Sequence, residues 1–228
     1  AAQILLNPLA DALQGFRREW LRFYEIKPDH RKMTVYILVD SANAKRKESD
    51  YTSMWVIGLN VDRNYYVLDM VRDRLNLTER SERLFTLHRK WSTPTRRVKQ
   101  VRWERYGMMA DVQHIKQQQE ELNYRFEIVD VAGQTPKDDR IRRMLPIFEQ
   151  AHFYMPRTLW VTDYQKIPRD LVHDFIEDEY VPFPIALHKD MFDSLSRIAE
   201  PDLKLDWPQE EKPRVEKKPV FGYGNQAQ

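Results

Sequence analysis

No cysteine occurs among the 228 residues. That excludes disulfides, zinc–thiolate sites and thiol catalysis, and it fits a reducing compartment. No apolar run approaches the roughly 20 residues of a membrane span, and no signal peptide is visible. Glycine is scarce: six residues, scattered. No G-x-x-x-x-G-K-S/T loop is present, so the sequence shows no ATPase site of its own. Charge of one sign is lacking too, because 37 Lys and Arg stand against 35 Asp and Glu. Overall basicity therefore announces no nucleic-acid partner, and any such binding must come from local patches. What the chain does have is 42% hydrophobic and 12% aromatic residues, enough to bury a sizeable core.

The rest of the reading hangs on Met33 to Thr52. MTVYILV is apolar, aromatic or β-branched throughout and ends in a carboxylate, Asp40. Such a run, closed by the polar loop SANAKRKES, predicts a buried strand. An acid at the end of a core strand has its backbone fixed while its side chain meets solvent, which suits a metal ligand. The plainer alternative is an Asp that starts a turn.

Upstream, Leu5, Leu9, Leu13, Phe16, Trp20 and Phe23 recur at spacings of three and four and predict one or two amphipathic helices over 1–25. Residues 1–30 are thus expected to be a helical linker region, 31–200 the main α/β domain, and 201–228 a flexible or loosely docked tail rich in Pro, Lys and Glu. Within the domain, strands are expected at 33–39, 53–59 and 65–71. NVDRN joins the last two as a hairpin, so the three should form an antiparallel meander. A helix should span 78–91 with Thr78 as its cap, and a strand 98–104. Then come a polar helix at 109–122, a strand at 125–131, a helix at 138–150 disturbed by Pro146, and two short strands around Pro156. Helices at 168–180 and 188–199 close the domain. Mixing of this kind predicts an α/β fold with a central mixed sheet, an antiparallel meander plus parallel strands, flanked by helices.

Acids then appear at matching places. Asp40 ends the first of these strands and Glu104 ends VKQVRWE. Asp190 and Asp193 lie three apart in HKDMFDSLSRI, on one helical face. If the strands bearing Asp40 and Glu104 are parallel neighbours, both acids project from one sheet edge, and a helix across that edge adds the other two. Converging carboxylates repel, and hard divalent cations remove the conflict; oxygen ligands suit Mg²⁺ or Mn²⁺. Two such ions about 4 Å apart can activate a water and stabilise a leaving phosphodiester oxygen. Taken singly, each acid is as readily a surface or capping group.

The order of these blocks resembles the C-terminal nuclease domain of the large terminase subunit of tailed bacteriophages. LLNP, ILVDSA followed by DYT, YYVLDMVRDRL, VRWERYG, KDDRIRRMLPIFEQAHFYMP, and FP followed by HKDMFDSL carry the resemblance, over about residues 4–200. It implies an RNase H-like (RuvC-like) fold and two-metal endonuclease cleavage of concatemeric viral double-stranded DNA during genome packaging. It further implies an N-terminal ATPase domain, a small terminase subunit and a portal as partners, and a place on the procapsid in the host cytoplasm. The initial Ala, in place of Met, agrees with an excised C-terminal domain. Asp40 matches the first-strand metal ligand, Glu104 the second acidic motif, and Asp190 and Asp193 the final acidic helix. Where the family often has two adjacent Asp, the first is here Lys189. Either Asp190 and Asp193 together supply the last ligands, or only one does.

Basic residues offer DNA contacts. Lys137, Arg140, Arg142 and Arg143 occupy a motif in which the resembling family places a basic group near the active site; there they would hold the DNA backbone or steady the transition state, and otherwise form a solvated helix face. Lys45, Arg46 and Lys47 follow Asp40 in its loop. Arg96, Arg97, Lys99 and Arg102 read as strand-edge solubility, His188 as a bystander beside the acidic helix, and Asp50 as a turn residue. Two other functions remain open: a DNA- or portal-docking module of weak catalysis, which Lys189 favours, and a Holliday-junction resolvase, against which LLNP and DYT argue.

Overall fold

The protein is described by a computed structural model, which describes residues 15–41, 51–104, 108–131 and 135–210. Its frame is a seven-stranded mixed sheet. In chain order the strands are β1 (Arg22–Tyr24), β2 (Thr34–Asp40), β3 (Thr52–Leu59), β4 (Tyr65–Asp73), β5 (Gln100–Glu104), β6 (Ile128–Val131) and β7 (Phe153–Pro156). Across the sheet they run β1-β7-β4-β3-β2-β5-β6. β2, β3 and β4 form the expected antiparallel meander, while β5 lies parallel to β2 and β6 parallel to β5. A separate antiparallel hairpin pairs β8 (Trp160–Thr162) with β9 (Pro168–Asp170). The helices are α1 (Leu77–Trp91), α2 (Met108–Glu121), α3 (Lys137–Arg142), α4 (Leu145–Glu149), α5 (Leu171–Asp174) and α6 (Asp190–Ser196).

β2 is an unbroken apolar run because both faces of the sheet are covered. Side chains alternate across a strand. Val35, Ile37 and Val39 therefore enter one core with Leu84, Phe85 and Trp91 of α1, and Tyr36 and Leu38 enter the other with Phe148, Phe175, Phe192 and Leu195. The second core pins α6 across the meander. Trp55, fully buried in β3, donates its indole N–H to the Met191 carbonyl at 2.8 Å, and Ser53 bonds Ser194 at 2.7 Å. Burial of an aromatic of that size contributes roughly 3 kcal/mol, and the indole hydrogen bond fixes where along the helix that contact is made.

Several elements differ from the sequence expectation. In place of a helix, 15–25 holds a 3₁₀ turn (Arg18–Trp20) and the edge strand β1, parallel to β7; Phe16 and Trp20 are core residues all the same. The apolar spacing reported burial rather than helicity. α1 is capped by Asn76, not Thr78, in a reciprocal pair with Glu79. The helix expected over 138–150 is two helices, with Pro146 in the first turn of the second, where its missing N–H costs nothing. The helix expected over 168–180 begins as β9, continues as α5 and ends in a π-helical turn, Phe175–Tyr180. Residues 201–210 dock onto the domain: the Asp206 N–H bonds the Tyr36 hydroxyl and Trp207 packs edge-on against Tyr65. The LLNP segment and residues 211–228 lie outside the described residues.

Candidate metal centre

Parallel pairing builds the site. The register that sets Val39 opposite Trp103 brings Asp40 and Glu104 to the same carboxyl-terminal edge of β2 and β5. α6 crosses this edge and adds Asp193. One carboxylate oxygen from each of Asp40, Glu104 and Asp193 lies within 4.8 Å of the other two. Glu104, Asp190 and Asp193 are buried, and Asp40 is partly so. Burial, and then the charges of Glu104 and Asp193, raise the Asp40 carboxyl well above the usual carboxylate range. That is the conflict a divalent cation removes, and an all-oxygen donor set suits a hard ion. A second observation fits the same group: Asp190 Oδ2 is buried with no hydrogen-bond partner among the described residues.

Of the two helix acids, Asp193 is the one in the three-carboxylate cluster. Asp190 sits beside it with Oδ1 3.4 Å from Lys137 Nζ, which also lies 3.5 Å from Asp193 Oδ2. Burial pulls the Lys137 ammonium down, but Asp193, Asp190 and Asp40 together outweigh it and hold its pKa above the usual lysine value.

Lys189, which stands where an acid was expected, turns away from the cluster. Its Nζ binds Asp138 Oδ1 at 2.7 Å and the Pro184 carbonyl at 2.9 Å, tying α6 to α3.

Two arginines complete the arrangement. Arg140, expected on a DNA-facing helix face, is buried instead: it grips both oxygens of Asp193 at 2.7 Å and approaches Glu104 at 3.6 Å. Arg197, which the sequence reading did not single out, is 1% exposed and binds Glu104 at 2.5 Å and Glu200 at 2.7 Å. Its only local signal was the spacing of three to Glu200, because Glu104 lies 93 residues away. Each arginine fixes a carboxylate's orientation as an outer-shell partner does around a metal.

Glu179 was missed as well. It is fully buried on the π-helical turn, and its oxygens accept from the Met191 and Phe192 N–H groups at 3.3 and 2.8 Å. It supplies the cap that Lys189, at the N-cap of α6, does not. One of three successive acids in FIEDEYVPF, it carries no sequence signal for that role.

The remaining basic residues are placed elsewhere. Arg143 binds Glu200 and Thr135, and Arg142 lies over Phe183 and near Asp139. Arg102 is not a solubilising edge residue: fully buried, it donates to the Arg197, Ile198 and Lys204 carbonyls and so satisfies the end of the α6 segment. Arg96 and Arg97 bond backbone carbonyls, and Lys99 pairs with Asp206. His188 is exposed and meets the Tyr51 ring edge-on, 6.3 Å away, outside the carboxylate cluster. Lys45, Arg46, Lys47 and Asp50 lie outside the described residues.

No protein-family model matches the chain, and neither does any curated protein. Solved structures do. The terminase nuclease domain of human cytomegalovirus, Mn-soaked and inhibitor-bound, superposes with a TM-score of 0.51 at 10% identity, over 80% of this chain and 92% of that one. The large terminase nuclease of thermophilic phage G20c gives 0.49 at 12% identity, over 78% and 92%. Its magnesium-bound form gives 0.45 at 14%, over 78% and 91%. At such identities the likeness is one of fold, carried by the first of these. The chain has the mixed-sheet, RNase H-like fold of terminase nuclease domains.

Proposed function

We propose that this chain is a divalent-metal-dependent endonuclease domain that cuts concatemeric viral double-stranded DNA during genome packaging. The observation that carries the reading is the convergence of Asp40, Glu104 and Asp193, with Asp190 beside them, at one edge of an RNase H-like sheet. Asp40, Glu104 and Asp193 would hold Mg²⁺ or Mn²⁺, with Asp190 beside them for a second ion; when bound, such a pair supplies an activated water and stabilisation of the departing 3′ oxygen. The protein's own part is placement. Arg140 and Arg197 hold Asp193 and Glu104 in single orientations, and Glu179 fixes the start of α6. Lys137 stands ready to meet a backbone phosphate, and Lys45, Arg46 and Lys47, beyond Asp40, would add contacts along the duplex. Phosphate contacts position DNA without reading sequence, so cutting should show little sequence preference and binding should weaken steeply with salt. In a full-length packaging protein the partners would be an ATPase domain, a small terminase subunit and a portal, at the procapsid in the host cytoplasm.

Lys189 had favoured a docking module without useful catalysis. Its ammonium is engaged by Asp138, outside the cluster, and the three acids Asp40, Glu104 and Asp193 support the catalytic reading over the docking one. The test is incubation with supercoiled plasmid and, separately, with a four-way junction, in Mn²⁺ or in EDTA. Nicked and linear plasmid in Mn²⁺ alone is expected. Plasmid left intact in both buffers would sink the nuclease reading, and a junction cut far faster than plasmid would favour a resolvase.

A further inference from the structure

The dipeptide Lys-Asp occurs at the start of both helices, as Lys137-Asp138 opening α3 and as the N-cap Lys189 with Asp190 at α6, and the two pair crosswise. Lys189 to Asp138 is the tight half, at 2.7 Å; Lys137 to Asp190 is the loose half, at 3.4 Å. A close charge-assisted pair measures about 2.7–2.9 Å, so Lys137 is held by the field of the acids more than by a direct bond. Its side chain is 38% exposed, against 9% for Arg140, and its flexible stem can carry the ammonium out to solvent. Beside it lies Asp190 Oδ2, buried and unpartnered.

Charge counting gives this arrangement a consequence. Among the described residues, five carboxylates (Asp40, Glu104, Asp190, Asp193 and, behind them, Glu200) stand against four cations (Lys137, Arg140, Arg197 and Arg143). One divalent ion on Asp40, Glu104 and Asp193 turns that small negative excess into a small positive one. A second ion beside Asp190 would then meet an ammonium already in place, in a partly buried site where like charges repel strongly.

We propose that Lys137 is a resident cation standing at the second metal position: without DNA the domain takes one divalent ion, and a second, held by Asp190 with Asp193, enters only once a backbone phosphate has drawn Lys137 away. The inference rests on the metal-dependent reading above and adds an order of assembly to it. The full site then forms only on substrate.

The experiment counts bound Mn²⁺ on the full chain from the electron paramagnetic resonance signal of the free ion. Wild type should bind one ion, with any second at least about tenfold weaker, a difference of about 1.4 kcal/mol. Wild type with a cleavage-resistant phosphorothioate duplex should bind two, and so should Lys137→Met without DNA. Two ions of similar affinity on DNA-free wild type, or a single ion in both the duplex and the Lys137→Met samples, would overturn the proposal. The duplex arm does not depend on the variant folding. No Mn²⁺ bound at all would instead overturn the metal-dependent reading itself.

Discussion

Asp40→Asn is expected to slow Mn²⁺-dependent plasmid cutting by at least about a thousandfold, equivalent to about 4 kcal/mol of barrier. Among the described residues, Asp40 is the one acid of the cluster that no arginine holds. Arg140 grips Asp193 and Arg197 grips Glu104, so a large share of their charge is already answered within the protein. Burial first, and then the charges of Glu104 and Asp193, raise the pKa of Asp40 against the smaller opposing pull of Lys137. Its carboxylate therefore has the most to gain from a divalent ion and the most to lose as a neutral amide. Asn keeps the shape and removes a group whose ionisation the fold penalises, so the metal-free variant should melt no lower than wild type. Cutting rates compared alongside thermal melts in EDTA check both halves. A variant that cuts within tenfold of wild type would show that Asp40 is a strand-end acid and no more.

The second large effect concerns Glu179, whose carboxyl is raised from 4.5 to about 7, first by burial and then by the charge of Asp190, against the opposing pull of two backbone N–H groups and Arg72. Because the folded value lies above the unfolded one, the stability tied to the neutral carboxyl is fully present below about pH 4.5. It is lost as pH rises through about 7. A shift of that size corresponds to about 3 kcal/mol. Glu179→Gln stays neutral and keeps an acceptor for the start of α6. In EDTA it should match wild type near pH 4.5 and exceed it by up to about 3 kcal/mol at pH 8. Urea unfolding of both proteins across this range measures the difference directly. A gap that does not change with pH would mean that Glu179 does not titrate there.

What the sequence made legible follows from how local each cause is. β2, β3 and β4 were readable because a sheet covered on both faces demands continuous apolar runs, and the polar link Asn60 to Asn64 marks a hairpin. Asp40 stood out because it breaks such a run at its end, and Glu104 because it ends a strand of mixed pattern, VKQVRWE. The crossover rule gave their strands a parallel direction, but their adjacency stayed a condition until the sheet order set β5 beside β2. β1 was not readable: a three-residue strand has no period, and its partner β7 lies about 130 residues away. Phe16 and Trp20 have the spacing of a helix because they are core anchors on an irregular segment. The buried charges were hidden for the same reason of distance. Arg140 meets Asp193 53 residues on, and Glu179 caps a helix from a separate π-helical turn. Lys189 looked like damage to an acidic motif. In space it is one half of a crossed pair whose other half, Lys137 on Asp190, is the group proposed to govern the second ion.

Anomalous diffraction from crystals soaked in Mn²⁺ decides whether Asp40, Glu104 and Asp193 hold a divalent cation. A peak is expected between these three carboxylates, abolished in Asp40→Asn. An absence of manganese there at saturating concentration, or a peak that survives the substitution unchanged, would contradict this assignment.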